Sequence, residues 1–277
     1  MIIHSDWHIH STASYDSTLS LDTIAERAKE WGFSHMGITD HVNTNEPNYL
    51  RDGLNSSVSV KEAQKKYPFM VLGVELTPID VYEYKYIKEN GSRTGFSWPA
   101  AEMPLPIELP MTKEELLSLG MRYAIGATHW RIDQPGAKQF SPDLEPCIRE
   151  WYRQQLWMAN DERVTVLGHP WCMSRGIWYQ DFSVIPRSAN MEIAAALKEN
   201  GKYVECNAHF FVAGTSEKFR HQYAEYMREM FEMGIPVIYG SDAHNTYTDN
   251  FRRVEPYLVA AGFRDGDVCE IAEKDLW

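Results

Sequence analysis

Seven short apolar runs recur along the chain, and each is followed at its C-terminal end by a histidine, a carboxylate or a carboxamide. The runs are Ser5 to His10, His35 to Thr39, Phe69 to Glu75, Tyr123 to Thr128, Val164 to Gly168, Tyr203 to Asn207 and Pro236 to Tyr239. Their length and apolar enrichment mark them as strands. Amphipathic segments of helical period lie between them, at about Leu21 to Trp31, Ser57 to Lys66, Glu145 to Asn160, Asn190 to Asn200 and Glu217 to Met233. Strands alternating with helices imply parallel βα units, hence a closed barrel or an open doubly wound sheet. The polar strand ends decide between the two. His10, His41, Glu75, His129, His169, Asn207 and Asp242 each terminate a different run. A barrel brings such ends to one mouth, where barrel active sites sit, whereas an open sheet spreads them along an edge. The expected fold is therefore α/β, a TIM-like barrel with its site at the C-terminal mouth of the strands.

The same strand ends form a donor set. Side chains alternate along an extended backbone, so His8 and His10 share one face and Trp7 and Ile9 the other. The histidines are expected to face the barrel axis, and Trp7 and Ile9 to pack outward against helices. Glu75 closes an apolar run, where a carboxylate is costly to bury unless it is paired or binds a cation. Its two oxygens suit it to bridge two ions. His129 follows Ala127-Thr128, and His169 follows Leu167-Gly168. Asp40 and His41 are adjacent, so only one points inward: His41 is expected to ligate and Asp40 to support it. Asp242 and His244, two apart, share a face or a tight turn. With Asp16 the set is His8, His10, Asp16, His41, Glu75, His129, His169, Asp242 and His244, six imidazoles and three carboxylates. That exceeds what one ion takes and suits two or three divalent ions. Nitrogen and oxygen donors fit Zn²⁺, Mn²⁺ or Fe²⁺, with no cysteine placed to join them.

Five motifs, His8-Ile9-His10-Ser11 with Asp16, Ile38-Thr39-Asp40-His41, Gly73-Val74-Glu75, Gly168-His169-Pro170 and Ser241-Asp242-Ala243-His244, together resemble the signatures of the PHP (polymerase and histidinol phosphatase) family. They occur in the family's order across residues 6 to 244, with Ser17 after Asp16 where glycine is common. The resemblance implies a distorted (β/α)7 barrel with a trinuclear metal site. It implies His8, His10, Glu75 and Asp242 around a first ion, Glu75, His129 and His169 around a second, and Asp16, His41 and His244 around a third. By the same resemblance, hydrolysis of small phosphate esters is expected: ions held by these residues would acidify water for attack and neutralise charge on the phosphoryl oxygens. The expected enzyme is a phosphomonoesterase, such as a histidinol-phosphate phosphatase, or a phosphodiesterase. Two other readings are hydrolysis of a carbon–nitrogen or carbon–oxygen bond, and a metal-binding accessory module without turnover. The complete ligand set and the lack of a polymerase segment weigh against the module.

Glu75 and Asp242 are the candidate catalytic carboxylates, and His209 a candidate proton donor to the leaving group. Arg131, Arg175 and Arg187 follow active-site strands, where a guanidinium can fork onto a phosphate. Arginine placement thus favours phosphate over carbonyl chemistry. Glu205 and Asn207 share a strand face that lines the pocket, with Cys206 opposite. Trp130, Trp171 and Trp178 lie near the mouth, to stack on substrate or pack the rim. His4, His35 and His221 read as structural or solvent-facing.

The chain of 277 residues reads as one domain, 1–277. One stretch, at about 80–110, breaks the alternation with Tyr82, Tyr84, Tyr86, Phe96, Trp98 and several prolines. After an active-site strand end, such an insertion is expected to act as a lid or specificity element. The balance of 39 acidic against 27 basic residues, net −12, argues against a long nucleic acid as partner. A small phosphorylated substrate stays compatible, because bound divalent cations reverse the local sign. No run approaches a membrane span. Four scattered cysteines and no secretory signal point to a reduced, cytoplasmic chain. Oligomeric state leaves no mark on the sequence.

Overall fold

Each apolar run forms parallel strand, but the second and third do so in halves. The computed structural model describes residues 1–43, 49–98, 104–134, 144–172, 180–212 and 214–277, with backbone alone at 49–51. In chain order the elements are β1 (Asp6–Ile9), α1 (Leu21–Trp31), β2 (Met36–Ile38), β3 (His41–Val42), α2 (Tyr49–Gln64), β4 (Met70–Leu72), β5 (Val74–Leu76), β6 (Ile79–Asp80), α3 (Val81–Asn90), β7 (Ile107–Glu108), α4 (Lys113–Leu119), β8 (Ala124–Gly126), α5 (Leu144–Asn160), β9 (Val166–Leu167), α6 (Arg187–Glu199), β10 (Tyr203–Asn207), α7 (His209–Val212), α8 (Glu217–Glu232), β11 (Val237–Gly240) and α9 (Phe251–Ala260). The second run carries on past Asp40, so that β2 and β3 are its two parts, and β4 and β5 are those of the third.

Strand order is β1-β2-β4 in one sheet and β11-β10-β9-β8-β5-β3 in the other. The split runs hand the chain from one sheet to the other. On the far side the Asp242 N–H donates to the His8 carbonyl at 2.8 Å and the His10 N–H to the Ala243 carbonyl at 3.0 Å. Those bonds close seven strand positions into a distorted (β/α)7 barrel. Gly73 marks the break in the third strand. A Cβ there would lie 2.5 Å from the Tyr123 ring, which crosses the barrel interior and donates its hydroxyl to the Trp7 carbonyl at 2.6 Å.

Below the mouth the interior is filled by Trp7, Tyr123, Ile125, Val166, Tyr203 and Ile238, all buried, with Ile271 from the C-terminal segment. Outward-facing Ile9, Ile38, Leu167, Val204 and Val237 belong to the larger cluster under the helices. Trp7 was expected on that outer face, and the structure corrects this. Asp6 pairs with Met36 and Ile9 with Ile38, so β1 has one residue more than its partner over that span. A bulge of this kind turns consecutive side chains to one side. Trp7 therefore plugs the barrel while His8 and His10 still face its mouth.

Sequence signals fix the helix ends. The Ser20 side chain accepts from the Thr23 N–H at 3.1 Å and starts α1, a cap whose loss costs about 1 kcal/mol. Thr112 and Glu115 form a reciprocal capping box on α4. Helix α2 starts at Tyr49, ahead of the expected Ser57. The 80–110 stretch, which breaks the alternation in the sequence, has strand and helix of its own among its described residues. β6 pairs antiparallel with β7, and Asp80 caps α3 by accepting from the Tyr82 and Glu83 N–H groups, both at 2.9 Å. Its other oxygen accepts from Trp98 Nε1 at 2.7 Å. No described helix is long and apolar enough to cross a membrane.

Candidate metal centre

Three overlapping groups of donor atoms gather at the barrel mouth: His8, His10 and Glu75; His10, His41 and His244; and Glu75, His129 and His169. Within each group the atoms lie within 4.8 Å of one another. They come from β1, β3, β5, the segments after β8 and β9, and the turn after β11.

Glu75 stands between the groups. Its Oε2 lies 2.8 Å from His41 Nδ1 and 3.4 Å from both His8 Nε2 and His10 Nε2. Its Oε1 lies 2.9 Å from His169 Nε2 and 3.4 Å from His129 Nε2. Asp242 Oδ1 completes the first group, 3.6 Å from His8 Nε2 and 3.3 Å from His10 Nε2. Asp16 Oδ2 lies 3.3 Å from His41 Nε2 and 3.5 Å from His244 Nε2.

These distances test whether metal ions fit. The Nε2 atoms of His8 and His10 are 3.1 Å apart, and both aim at the same two carboxylates. Glu75 Oε2 is buried and makes no well-aligned hydrogen bond, although the ring nitrogens of His41, His8 and His10 crowd it at 2.8 to 3.4 Å, a crowding that a shared cation would relieve. Convergent imidazole nitrogens around a buried carboxylate are the donor set divalent ions take. The residues fit.

Charge in the cluster alternates. Burial pushes Glu75 up, but the imidazoles of His41, His129 and His8 outweigh it and hold the carboxyl well below the usual range. Asp242 is likewise depressed, with His8 and His10 overcoming burial. Burial opposes charge on His8, yet Glu205, Asp242 and Glu75 hold it well above the usual imidazole range. His41 is raised to about 10, because Glu75 and Asp16 overcome burial. Burial, reinforced by neighbouring imidazoles, lowers His10 to about 3, and burial takes His129 to about 4 despite Glu75. Without metal the site thus holds protons on some imidazoles that ligation would displace.

The surroundings differ from expectation at several points. Asp40 does not contact the His41 ring; its carboxylate accepts from the Ser11 N–H at 2.6 Å, the Ser11 hydroxyl at 2.8 Å and the Ser56 hydroxyl at 2.6 Å. It braces the loop after β1, because the split between β2 and β3 turns it away from the mouth. Ser14 lies behind two ligands, its Oγ accepting from the His41 N–H at 2.9 Å and standing 3.2 Å from His10 Nδ1. Glu205 lies deeper than a lining residue, with Oε1 2.8 Å from His8 Nδ1. Asp6, buried behind the site, accepts from the His8 and Ser241 N–H groups and the Tyr247 hydroxyl. The sequence pattern assigns no role to Ser14 or Asp6, although both lie beside the His8-Ile9-His10 motif. For Asp6, its period-two spacing from His8 was the available signal.

Arg131 is buried and forks onto Asp133, with Nε and Nη2 each 3.1 Å from a carboxylate oxygen. The geometry expected for a phosphate is taken by that neighbour. Arg187 opens α6 and reaches Glu229 of α8 at 3.2 Å, three-quarters exposed. The structure does not bring it to the cluster. Arg175 and Trp178 lie outside the described residues. Trp171 is core, buried and donating to Asn190 at 2.8 Å, and half-buried Trp130 has its ring 6.0 Å from that of His129. His209 is exposed at the start of α7, its N–H donating to Asn207 Oδ1 at 2.8 Å. The Asn207 amide donates to Asp242 Oδ2 at 3.3 Å and Glu205 Oε1 at 3.1 Å. Tyr15, unmarked in the sequence, is exposed with its ring 5.7 Å from that of His41.

The family model of the PHP domain matches residues 6–209. Among curated proteins, none matches the chain. Among solved structures, a histidinol phosphate phosphatase from Lactococcus lactis, complexed with zinc, L-histidinol and phosphate, is similar with a TM-score of 0.71 at 18% identity, over 99% of this chain and 98% of that one. A Xaa-Pro dipeptidase with bound methionine gives a TM-score of 0.39 at 12% identity, over 94% and 70% of the two chains.

Proposed function

This chain belongs to the PHP-domain family, and from that membership we propose that it is a metal-dependent hydrolase of small phosphate esters, with a phosphomonoester as first choice. One observation carries the reading: the two oxygens of Glu75 divide between His8, His10 and His41 on one side and His129 and His169 on the other. A single carboxylate between two imidazole groups suits at least two ions, and the Asp16, His41 and His244 neighbourhood suits a third. Zn²⁺, Mn²⁺ and Fe²⁺ all match the donors. The similar Lactococcus phosphatase, which binds zinc, L-histidinol and phosphate, supports the substrate class.

Divalent ions, when bound, supply Lewis acidity: they neutralise charge on a phosphoryl group and acidify water. The chain's own residues do the rest. Glu75 and Asp242 place negative charge where the imidazoles converge, and so fix where an anionic substrate can approach. With Arg131 on Asp133 and Arg187 on Glu229, the phosphate is held mainly through the imidazole cluster and its ions. His209 stands at the exposed rim beside Asn207 and gives the leaving oxygen its proton. The 80–110 ribbon and helix select the leaving group. The four cysteines form no disulfide among the described residues, which suits the cytoplasm, and residues 1–277 act as one unit.

The test is metal analysis of the purified chain, then a panel of phosphomonoesters, phosphodiesters and amides with Mn²⁺ or Zn²⁺. Two or more ions per chain and turnover of a monoester are expected. Fewer than two ions, or turnover of amides alone, overturns the proposal.

A further inference from the structure

The structure assigns Glu205 as a positioning residue that holds two of the metal groups in place from behind, an assignment that rests on the function proposed above. It is wholly buried on β10, and each of its oxygens serves a different group. Oε1 is 2.8 Å from His8 Nδ1, the ring nitrogen that faces away from Glu75 and Asp242. Oε2 accepts from the His169 backbone N–H at 2.5 Å. His8 belongs to the group with His10, and His169 to the group with His129. One carboxylate thus fixes a side chain in the first and a backbone in the second.

Both contacts answer a physical need. An imidazole ligates through Nε2 only when its proton sits on Nδ1, and a carboxylate acceptor at Nδ1 keeps it there. His169 has φ +22°, a value unusual for a non-glycine residue, so its backbone persists only if its surroundings hold it. The N–H bond to Glu205 is such a hold. The chain also leaves room for this carboxylate: a Cβ on Gly240 would fall 1.8 Å from Glu205 Oε1 and 2.7 Å from His8 Cβ. The Asn207 amide adds a third link, from Glu205 Oε1 at 3.1 Å to Asp242 Oδ2 at 3.3 Å.

Glu205→Gln keeps the shape but replaces one of the two acceptor oxygens by a donor, so either the His169 N–H or His8 Nδ1 with the Asn207 amide loses its acceptor. Zinc affinity is measured by competition with a chromophoric chelator, beside circular dichroism and thermal melting to check the fold. A folded variant with zinc affinity about 10- to 100-fold weaker than wild type is expected. If wild type takes up two or more ions and the variant's titration superimposes on it, the assignment is overturned while the proposed function stands. If wild type takes up none, the function falls and the assignment with it. Should the variant not fold, ¹⁵N-histidine NMR of zinc-loaded wild type decides. A proton retained on His8 Nδ1 supports the assignment, and one found on Nε2 overturns it.

Discussion

His41 and Glu75 sit directly opposite each other in register on parallel strands β3 and β5, and His41 Nδ1 lies 2.8 Å from Glu75 Oε2. The pairing follows from the split of the second and third strands. At the breaks the chain passes into the second sheet, where both residues reach the mouth. One carboxylate thereby meets imidazoles from four other strand positions.

Metal uptake should release protons. His41 is raised to about 10 in the metal-free protein by Glu75 and Asp16, which overcome burial, so near pH 8 it carries a proton that ligation removes. A group raised above its unfolded value stabilises the metal-free fold fully below about 6.5 and loses that contribution as pH rises through 10. Zinc affinity therefore climbs over this window while metal-free stability declines. Calorimetric titrations in buffers of different ionisation enthalpy should show release of at least about one proton per chain. Equal heats in all buffers would contradict this.

Asp6 gives a pH effect of the same direction in a lower window. Burial pushes its carboxyl up to about 7, against hydrogen bonds from Ser241, His8 and Tyr247. A carboxylate raised above its unfolded value costs stability once ionised: the cost is absent below about 3.8, grows to pH 7 and is complete above. By linkage it reaches on the order of 4 kcal/mol. Asp6→Asn keeps an acceptor for the two N–H groups and removes the charge. Denaturant melts should show it at least as stable as wild type at pH 8, with the advantage vanishing near pH 4. A variant less stable than wild type at pH 8 argues that the carboxylate is needed as such.

The two candidate arginines within the described residues, Arg131 and Arg187, should separate sharply. Arg131→Ala strands Asp133 beside a buried void, a loss of about 3–5 kcal/mol, visible as a lowered Tm. Arg187→Ala breaks a pair that is largely exposed and should change stability by under about 1 kcal/mol, with KM for a phosphomonoester unchanged. A large rise in KM for Arg187→Ala would return that side chain to the site.

Much of this layout was readable from the sequence because strand alternation and polar strand ends are local signals. His10, Glu75 and His169 each close a run whose apolar residues name its buried face, so the barrel and its mouth follow. What depends on a partner far along the chain was not readable. Trp7 faces inward because β1 carries one extra residue against β2, and a bulge leaves no mark in the pattern. Asp40 turns to Ser11 and Ser56 because its strand breaks there. Arg131 has the spacing of a phosphate ligand, but Asp133 two residues later takes its fork. Glu205 reads as pocket lining because only the fold reveals His8 and His169 against its two oxygens.

The central claim is that Glu75 serves two groups of ligands at once. Its most direct test is the number of ions per chain, counted by mass spectrometry after zinc reconstitution and dialysis, in wild type and in Glu75→Ala. Loss of a bridging carboxylate removes several kcal/mol of support from both groups, and with it about 1,000-fold or more in activity. Wild type should hold two or more ions, and the variant should fall by about two. An unchanged count in a folded Glu75→Ala would contradict the account.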